Sequence, residues 1–260
     1  MSGPWILLRG LTRESRHWGA FATLLAARDG VLPIDLAGNG TEAHARSPLA
    51  VGAYVDALRE QAQRRGASAP YRVLAMSLGG MVATEWALRY PGEIERLVLV
   101  NTSMRPHSRV YERLRPSAWP ALVRVARDWE GNDSNGIAER LIHGLTCARR
   151  DTLAADLEAW REIRAGAHVS RANALRQLAA AARFKARGAP RCAVLVVSSR
   201  GDRLVNPVCS TRLARAWGAP HVEHPWAGHD LPHDDPQWLV DALHAGDMAA
   251  NAAGQAAGRV

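Results

Sequence analysis

The apolar run Tyr71–Met76 ends on Ser77, and one residue later two glycines, Gly79 and Gly80, open a helix-forming stretch. Few conformations satisfy that order. A strand must deliver the serine onto a tight turn, and the turn must lead at once into a helix whose backbone passes close to the strand. Small residues are needed there for that reason. The same segment, taken alone, is also compatible with an ordinary turn. A serine hydroxyl is a weak nucleophile at neutral pH and gains chemistry only beside a base and an oxyanion site.

The rest of the chain alternates in the same way. Its short apolar, β-branched runs predict strands near Trp5–Arg9, Val31–Asp35, Tyr71–Met76, Arg96–Asn101, Cys192–Ser198 and His221–Pro225. Helical patterns lie between and after them, around Trp18–Arg28, Leu49–Gln63, Gly79–Tyr90, Pro207–Trp217 and Gln237–His244. This is the pattern of an α/β fold with a mostly parallel, doubly wound sheet. The alternation stops between Ser103 and Arg187, where no strand is legible and amphipathic patterns recur at Ala138–Leu145, Thr152–Ile163 and Arg171–Phe184. The chain of 260 residues therefore divides into a core at 1–102 and 191–248, a helical insertion at 103–190 and a disordered tail at 249–260.

Composition narrows the partners. A hydrophobic fraction of 47% with 22% charged residues is that of an ordinary globular protein. No apolar run approaches the roughly 20 residues of a membrane helix, and Met1–Leu8 carries no basic leader, so a cytoplasmic location without a membrane partner is expected. The net charge of +8 raises the question of nucleic acid. Its arginines are scattered, Lys185 is the single lysine, and no nucleic-acid signature is present, so no such partner is expected. The charge is instead concentrated: 16 basic and 9 acidic residues lie between Ser103 and Pro190. The cysteines, Cys147, Cys192 and Cys209, form no CxxC pair, which argues against a disulfide framework, a structural zinc site or any other metal.

Ala75-Met76-Ser77-Leu78-Gly79 resembles the G-x-S-x-G nucleophile elbow of the α/β-hydrolase superfamily, with alanine in place of the first glycine. The resemblance covers nearly the whole chain and implies the α/β-hydrolase fold with a helical cap insertion. It also implies a triad in the order serine, acid, histidine. The buried run Ala193–Val197 leads to Ser198-Ser199-Arg200-Gly201-Asp202, which assigns the acid to Asp202. Trp226-Ala227-Gly228-His229-Asp230 assigns the base to His229, with His233 as its local rival. Ser77 is then the nucleophile, and the amides of Leu78 and Leu11 are the oxyanion donors. Leu11 follows Arg9-Gly10, where relatives often carry His-Gly, so the arginine is a departure whose simplest reading is a structural salt bridge. Trp18 and Met76 are assigned to substrate binding. Ile34-Asp35-Leu36-Ala37-Gly38-Asn39-Gly40 resembles the D-x-P-G-x-G loop of the same superfamily, and Asp35 is read as holding that turn.

The implied activity is hydrolysis of a small-molecule carboxylic ester through an acyl-enzyme, with no metal or organic cofactor. Two alternatives accompany it. The elbow and the basic insertion, with Arg105, Arg109, Arg113, Arg115, Arg124 and Arg127, also resemble pimeloyl-carrier-protein methyl esterases. That likeness implies an acidic carrier protein at the basic cap and extends to thioesterases. The third reading is a catalytically silent ligand-binding protein of the same fold.

Overall fold

Six strands pair in the order β2-β1-β3-β4-β5-β6, every pair parallel. They are β1 (Trp5–Leu8), β2 (Val31–Ile34), β3 (Tyr71–Met76), β4 (Ile94–Val100), β5 (Ala193–Ser199) and β6 (His221–His224). The computed structural model describes residues 3–129 and 136–245. The expected tail at 249–260 lies outside them.

Alternation along the strands builds two cores, because successive side chains point to opposite faces of a sheet. Ile6, Leu8, Val73, Ala75, Leu97 and Leu99 face one way, where helices α2 (Gly52–Arg64) and α3 (Leu78–Arg89) cover them with Val55, Leu58, Val82 and Trp86. Trp5, Leu7, Leu74, Met76, Val98 and Val100 face the other way. There Phe21 and Leu25 of α1 (Gly19–Ala26) meet Leu239, Val240 and Leu243 of a last helix at 236–245. Both faces are apolar, so the inner strands β1, β3, β4 and β5 read as largely hydrophobic runs.

Strand order reverses at β1, which lies between β2 and β3. In open parallel sheets the crevice beyond the carboxyl ends of the strands at such a reversal is where ligands bind. The turns after β1 and β3 carry Arg9–Leu11 and Ser77 respectively.

Between β4 and β5 the described residues contain helices and no strand: α4 (Val110–Arg113), α5 (Trp119–Asp128), α6 (Ile137–Thr146), α7 (Leu153–Gly166) and α8 (Arg171–Arg183). Of these α4 and α5 were not delimited by the sequence pattern. Proline in the first turn of α5 occupies a position where its missing N–H costs no helix bond. Three of the six arginines named above are engaged with backbone carbonyls. Arg105 bonds Arg183 O, Arg113 bonds Ala181 O and Ala182 O, and Arg115 bonds Asp202 O at 2.8 Å. The first two satisfy the last carbonyls of α8, the electronegative end of that helix. The positive charge of this stretch is thus partly internal fastening.

Among the described residues no helix is long and apolar enough to cross a membrane.

Candidate active site

Ser77 joins β3 to α3 with φ 53° and ψ −119°, a conformation rare for a residue with a side chain. Neighbouring backbone holds it there. Ser77 N donates to Val100 O at 3.1 Å, and Ser77 O accepts from Thr102 Oγ1 at 2.7 Å and Gly80 N at 3.0 Å. The two glycines have separate causes. A Cβ on Gly79 would stand 2.6 Å from the carbonyl oxygens of Leu8 and Arg9, and one on Gly80 would meet Thr102 Cβ at 2.8 Å. The alanine that replaces the first motif glycine, Ala75, is fully buried in the core without displacing the strand. Gly79→Ala, by contrast, forces rigid backbone apart. It should destabilise by about 1–3 kcal/mol, seen as a lower urea midpoint than that of an Ala75→Gly control.

His229 and Asp202 meet although 27 residues separate them: His229 Nδ1 and Asp202 Oδ2 are 2.7 Å apart, both side chains buried. Asp202 Oδ1 accepts from Leu204 N and Val205 N, each at 2.8 Å, so both carboxylate oxygens are engaged. Asp202 follows β5 and His229 follows β6, at the same sheet end as Ser77. His233 lies apart from this pair, on the short α10 (Leu231–Asp234), with its ring toward Asp156.

Two residues that carry no signal in the sequence pattern fix these loops. Asn101, at the end of β4 with φ 47°, donates from Nδ2 to Ser199 Oγ at 2.9 Å and to His229 O at 2.8 Å, while its Oδ1 accepts from Ser199 N. It thereby joins three strand ends. Asp234 accepts from Gly228 N at 2.7 Å and from Ala148 N and Arg149 N, tying the His229 loop to the helical segment. An asparagine and an aspartate in loops carry no periodic signal that would single them out.

Leu78 follows Ser77 directly, and Leu11 follows Gly10 in the turn after β1. Gly10 lies so close that a Cβ there would be 2.9 Å from Ser77 Cβ. Among the described residues neither the Leu11 amide nor the Leu78 amide has a hydrogen-bond acceptor. Two unclaimed backbone donors beside a serine are what an oxyanion site requires.

Arg9 is part of a buried ion pair. Its Nη1 and Nη2 donate to Asp230 Oδ1 and Oδ2 at 2.9 and 2.6 Å, a bidentate geometry, and both side chains are 3% exposed. Burial favours the neutral carboxyl of Asp230, but the Arg9 guanidinium outweighs it and holds the group below its ordinary range. The same guanidinium lies 4.9 Å from the Trp18 ring centroid. Trp18 therefore serves the core: it is 1% exposed, packs on Phe21, and is not among the residues that line the cavity. The indole closes the loop between β1 and α1, and its apolar face is drawn into the sheet-covering core instead of the cavity. Met76 does line the cavity, as do Leu11, Ser77 and His229.

That cavity has a volume of about 570 Å³, within the usual range of small-molecule sites. Its floor is the sheet end with Ser77 and His229, and its walls are apolar side chains of α5, α6 and α8 such as Leu122, Val125, Trp129, Leu145 and Leu178. Asp35 stays outside it. Asp35 accepts from Ser15 N, Ser15 Oγ, Thr41 N and Thr41 Oγ1, which is the turn-holding role read from its loop.

A parallel sheet reversing at its first strand, a serine on a strained turn after the third, and an Asp–His pair in loops beyond the fifth and sixth together define the architecture of an α/β-type hydrolase. The chain belongs to the alpha/beta hydrolase family, whose model matches residues 5–242. An esterase from Thermogutta terrifontis superposes with a TM-score of 0.70 at 24% identity, covering 94% of this chain and 90% of that one. The enol-lactonase from Burkholderia xenovorans LB400 gives 0.75 at 20%, covering 95% and 92%. The esterase RhEst1 from a Rhodococcus species gives 0.75 at 18%, covering 94% and 90%. These likenesses are of fold. In sequence, an uncharacterized protein of Mycobacterium tuberculosis is 34% identical over 101 residues. That match spans 38% of this chain and 29% of the relative's length.

Proposed function

We propose that this hydrolase is a serine carboxylic-ester hydrolase in which Ser77 is the nucleophile, His229 the general base and Asp202 the residue that orients it. The observation that carries the reading is the 2.7 Å contact of His229 Nδ1 with the buried Asp202, with His229 and Ser77 on its left-handed turn both lining one cavity. With Nδ1 committed to Asp202, Nε2 is the nitrogen that takes the proton from Ser77 Oγ as the hydroxyl attacks the ester carbonyl. The amides of Leu11 and Leu78 receive the oxyanion. His229 then returns the proton to the departing alcohol, and water hydrolyses the acyl-enzyme by the same steps in reverse order. Asp202 orients the imidazole and stabilises the imidazolium throughout.

The helical segment acts as a cap whose side chains hold the acyl group. Because they are apolar, each methylene buried there is worth about 0.8 kcal/mol, or roughly fourfold in kcat/KM. The test is p-nitrophenyl ester hydrolysis from acetate to dodecanoate, with fluorophosphonate labelling in parallel. Turnover should rise about fourfold per methylene until the cavity is filled, and the label should map to Ser77. A flat acyl profile would remove the cap from specificity. Absence of labelling would support the silent ligand-binding reading instead. The carrier-protein alternative is less favoured, because Arg105, Arg113 and Arg115 bond backbone carbonyls of the chain itself.

A further inference from the structure

A second group of reactive side chains lies at the seam between the helical segment and the loop that carries His229. His143 and Cys147 are four residues apart at the C-terminal end of α6, a spacing that puts both on one side of the helix. His233 comes to them from α10, 86 residues beyond Cys147. One ligand-type atom from each of the three lies within 4.8 Å of the others. His143 and Cys147 are fully buried, and the His233 side chain is 18% exposed.

Their surroundings leave donors uncommitted. Asp156 Oδ2 is 3.0 Å from His143 Nε2 and 3.0 Å from His233 Nε2, and also accepts from Thr152 Oγ1 at 2.7 Å. Only the His143 approach has hydrogen-bond geometry; His233 Nε2 is a buried nitrogen without a partner among the described residues. The Cys147 sulfur has a single weak contact, to Thr146 Oγ1 at 3.7 Å. On the far side of the His143 ring, Nδ1 faces Arg150 at 3.4 Å. The ring edges are packed by Trp160, whose centroid is 5.3 Å from that of His143 and 5.6 Å from that of His233.

We propose that His143, Cys147 and His233, with Asp156 beside both imidazoles, bind one zinc-like divalent cation that fastens α6 to α10. Two imidazoles, a thiolate and a carboxylate are a borderline-soft set that selects Zn(II) over the hard alkaline-earth cations. Bonds of about 2.0–2.3 Å in a tetrahedron place neighbouring donors roughly 3.3–3.8 Å apart. The two Nε2–Asp156 separations are already near that spacing, and because the donors of His143, Cys147 and His233 all lie within 4.8 Å of one another, closure of at most about 1 Å by side-chain rotation is required. Asp156 either completes the four or hydrogen-bonds an imidazole from outside, as carboxylates do at histidine-bound zinc. The site is structural and separate from the chemistry, since none of its three residues lines the substrate cavity. It adds to a seam that Asp234 already bridges through Ala148 and Arg149. Spacing of cysteines alone could not reveal it, because its ligands are one cysteine and two histidines from distant parts of the chain.

The full chain, stripped with dipicolinate and dialysed, should take up one equivalent of Zn(II) by elemental analysis and melt at a higher temperature when loaded. Loaded with Co(II) instead, it should show tetrahedral visible bands and a near-ultraviolet thiolate-to-cobalt band. Cys147→Ser should abolish the thiolate band, and Asp156→Asn should weaken Zn(II) affinity about 10–100-fold. Stripped Cys147→Ser should melt as the stripped parent does, which separates loss of metal from loss of fold. Sub-stoichiometric uptake by the parent, or equal Zn(II) uptake and an unchanged cobalt spectrum in Cys147→Ser, would overturn the site.

Discussion

Ser77→Ala is expected to lower ester turnover roughly a million-fold while the protein stays folded. The backbone bonds that hold the elbow run from Ser77 N to Val100 and from Thr102 to Ser77 O, so none depends on the hydroxyl. Alanine meets the same strain at φ 53° that serine does. The melting temperature should therefore change little, and loss of rate reports loss of the nucleophile. Asp202→Asn should cost about 10⁴-fold in kcat for a different reason. Its amide oxygen can still accept from Leu204 N and Val205 N, but the NH₂ then turns toward His229 Nδ1. The imidazole must accept there, so the proton moves to Nε2, the nitrogen that should be taking one from Ser77. Because the three residues act as a unit, Ser77→Ala combined with Asp202→Asn should be no slower than Ser77→Ala alone. Steady-state kinetics on a p-nitrophenyl ester, with near-ultraviolet dichroism as the folding control, decides it: a Ser77→Ala rate within tenfold of the parent rules out Ser77 as nucleophile.

What the sequence made legible was set by local physics. The inner strands β1, β3, β4 and β5 were readable because both sheet faces over them are buried and each run is largely apolar. Ser77 was readable because its turn requires Gly79 and Gly80 within three residues. Asp202 and His229 needed the family order as well, since a loop acid or histidine has no pattern of its own. The residues that escaped are those whose partners are far along the chain. Arg9 was legible as a salt-bridge residue, but its partner Asp230 stands 221 positions away, and Asn101 reaches His229 across 128. Trp18 was misplaced for the converse reason: its sequence position borders the site, and only packing shows that its ring turns inward under Arg9.

The largest effect on stability should come from Arg9. Removing one member of a buried, hydrogen-bonded ion pair leaves the other charge desolvated and uncompensated, at a cost of about 3–5 kcal/mol. Arg9→Met should show that loss in urea unfolding, because it strands the Asp230 carboxylate in a site where only 3% of the side chain is exposed. Asp230→Asn should lose a similar amount by stranding the guanidinium. The double replacement Arg9→Met with Asp230→Asn leaves no buried charge and should recover a large part of either loss, so the coupling energy of the cycle isolates the pair. The carboxyl of Asp230 is held below its unfolded value of about 3.9. The pair's contribution is accordingly complete at neutral pH and fades only as pH falls through that lower folded value, so the cycle belongs near pH 7. Additive single-variant losses, with no recovery in the double, would show that Arg9 acts through packing on Trp18 alone. Activity provides the second reading of the pair. Arg9 precedes the Gly10–Leu11 turn and Asp230 follows His229, so the bidentate contact fixes the spacing between the Gly10–Leu11 loop and His229. Arg9→His cannot reach both oxygens with one ring. It should keep more stability than Arg9→Met only where the imidazole is protonated, and kcat should fall with the loosened loop in both.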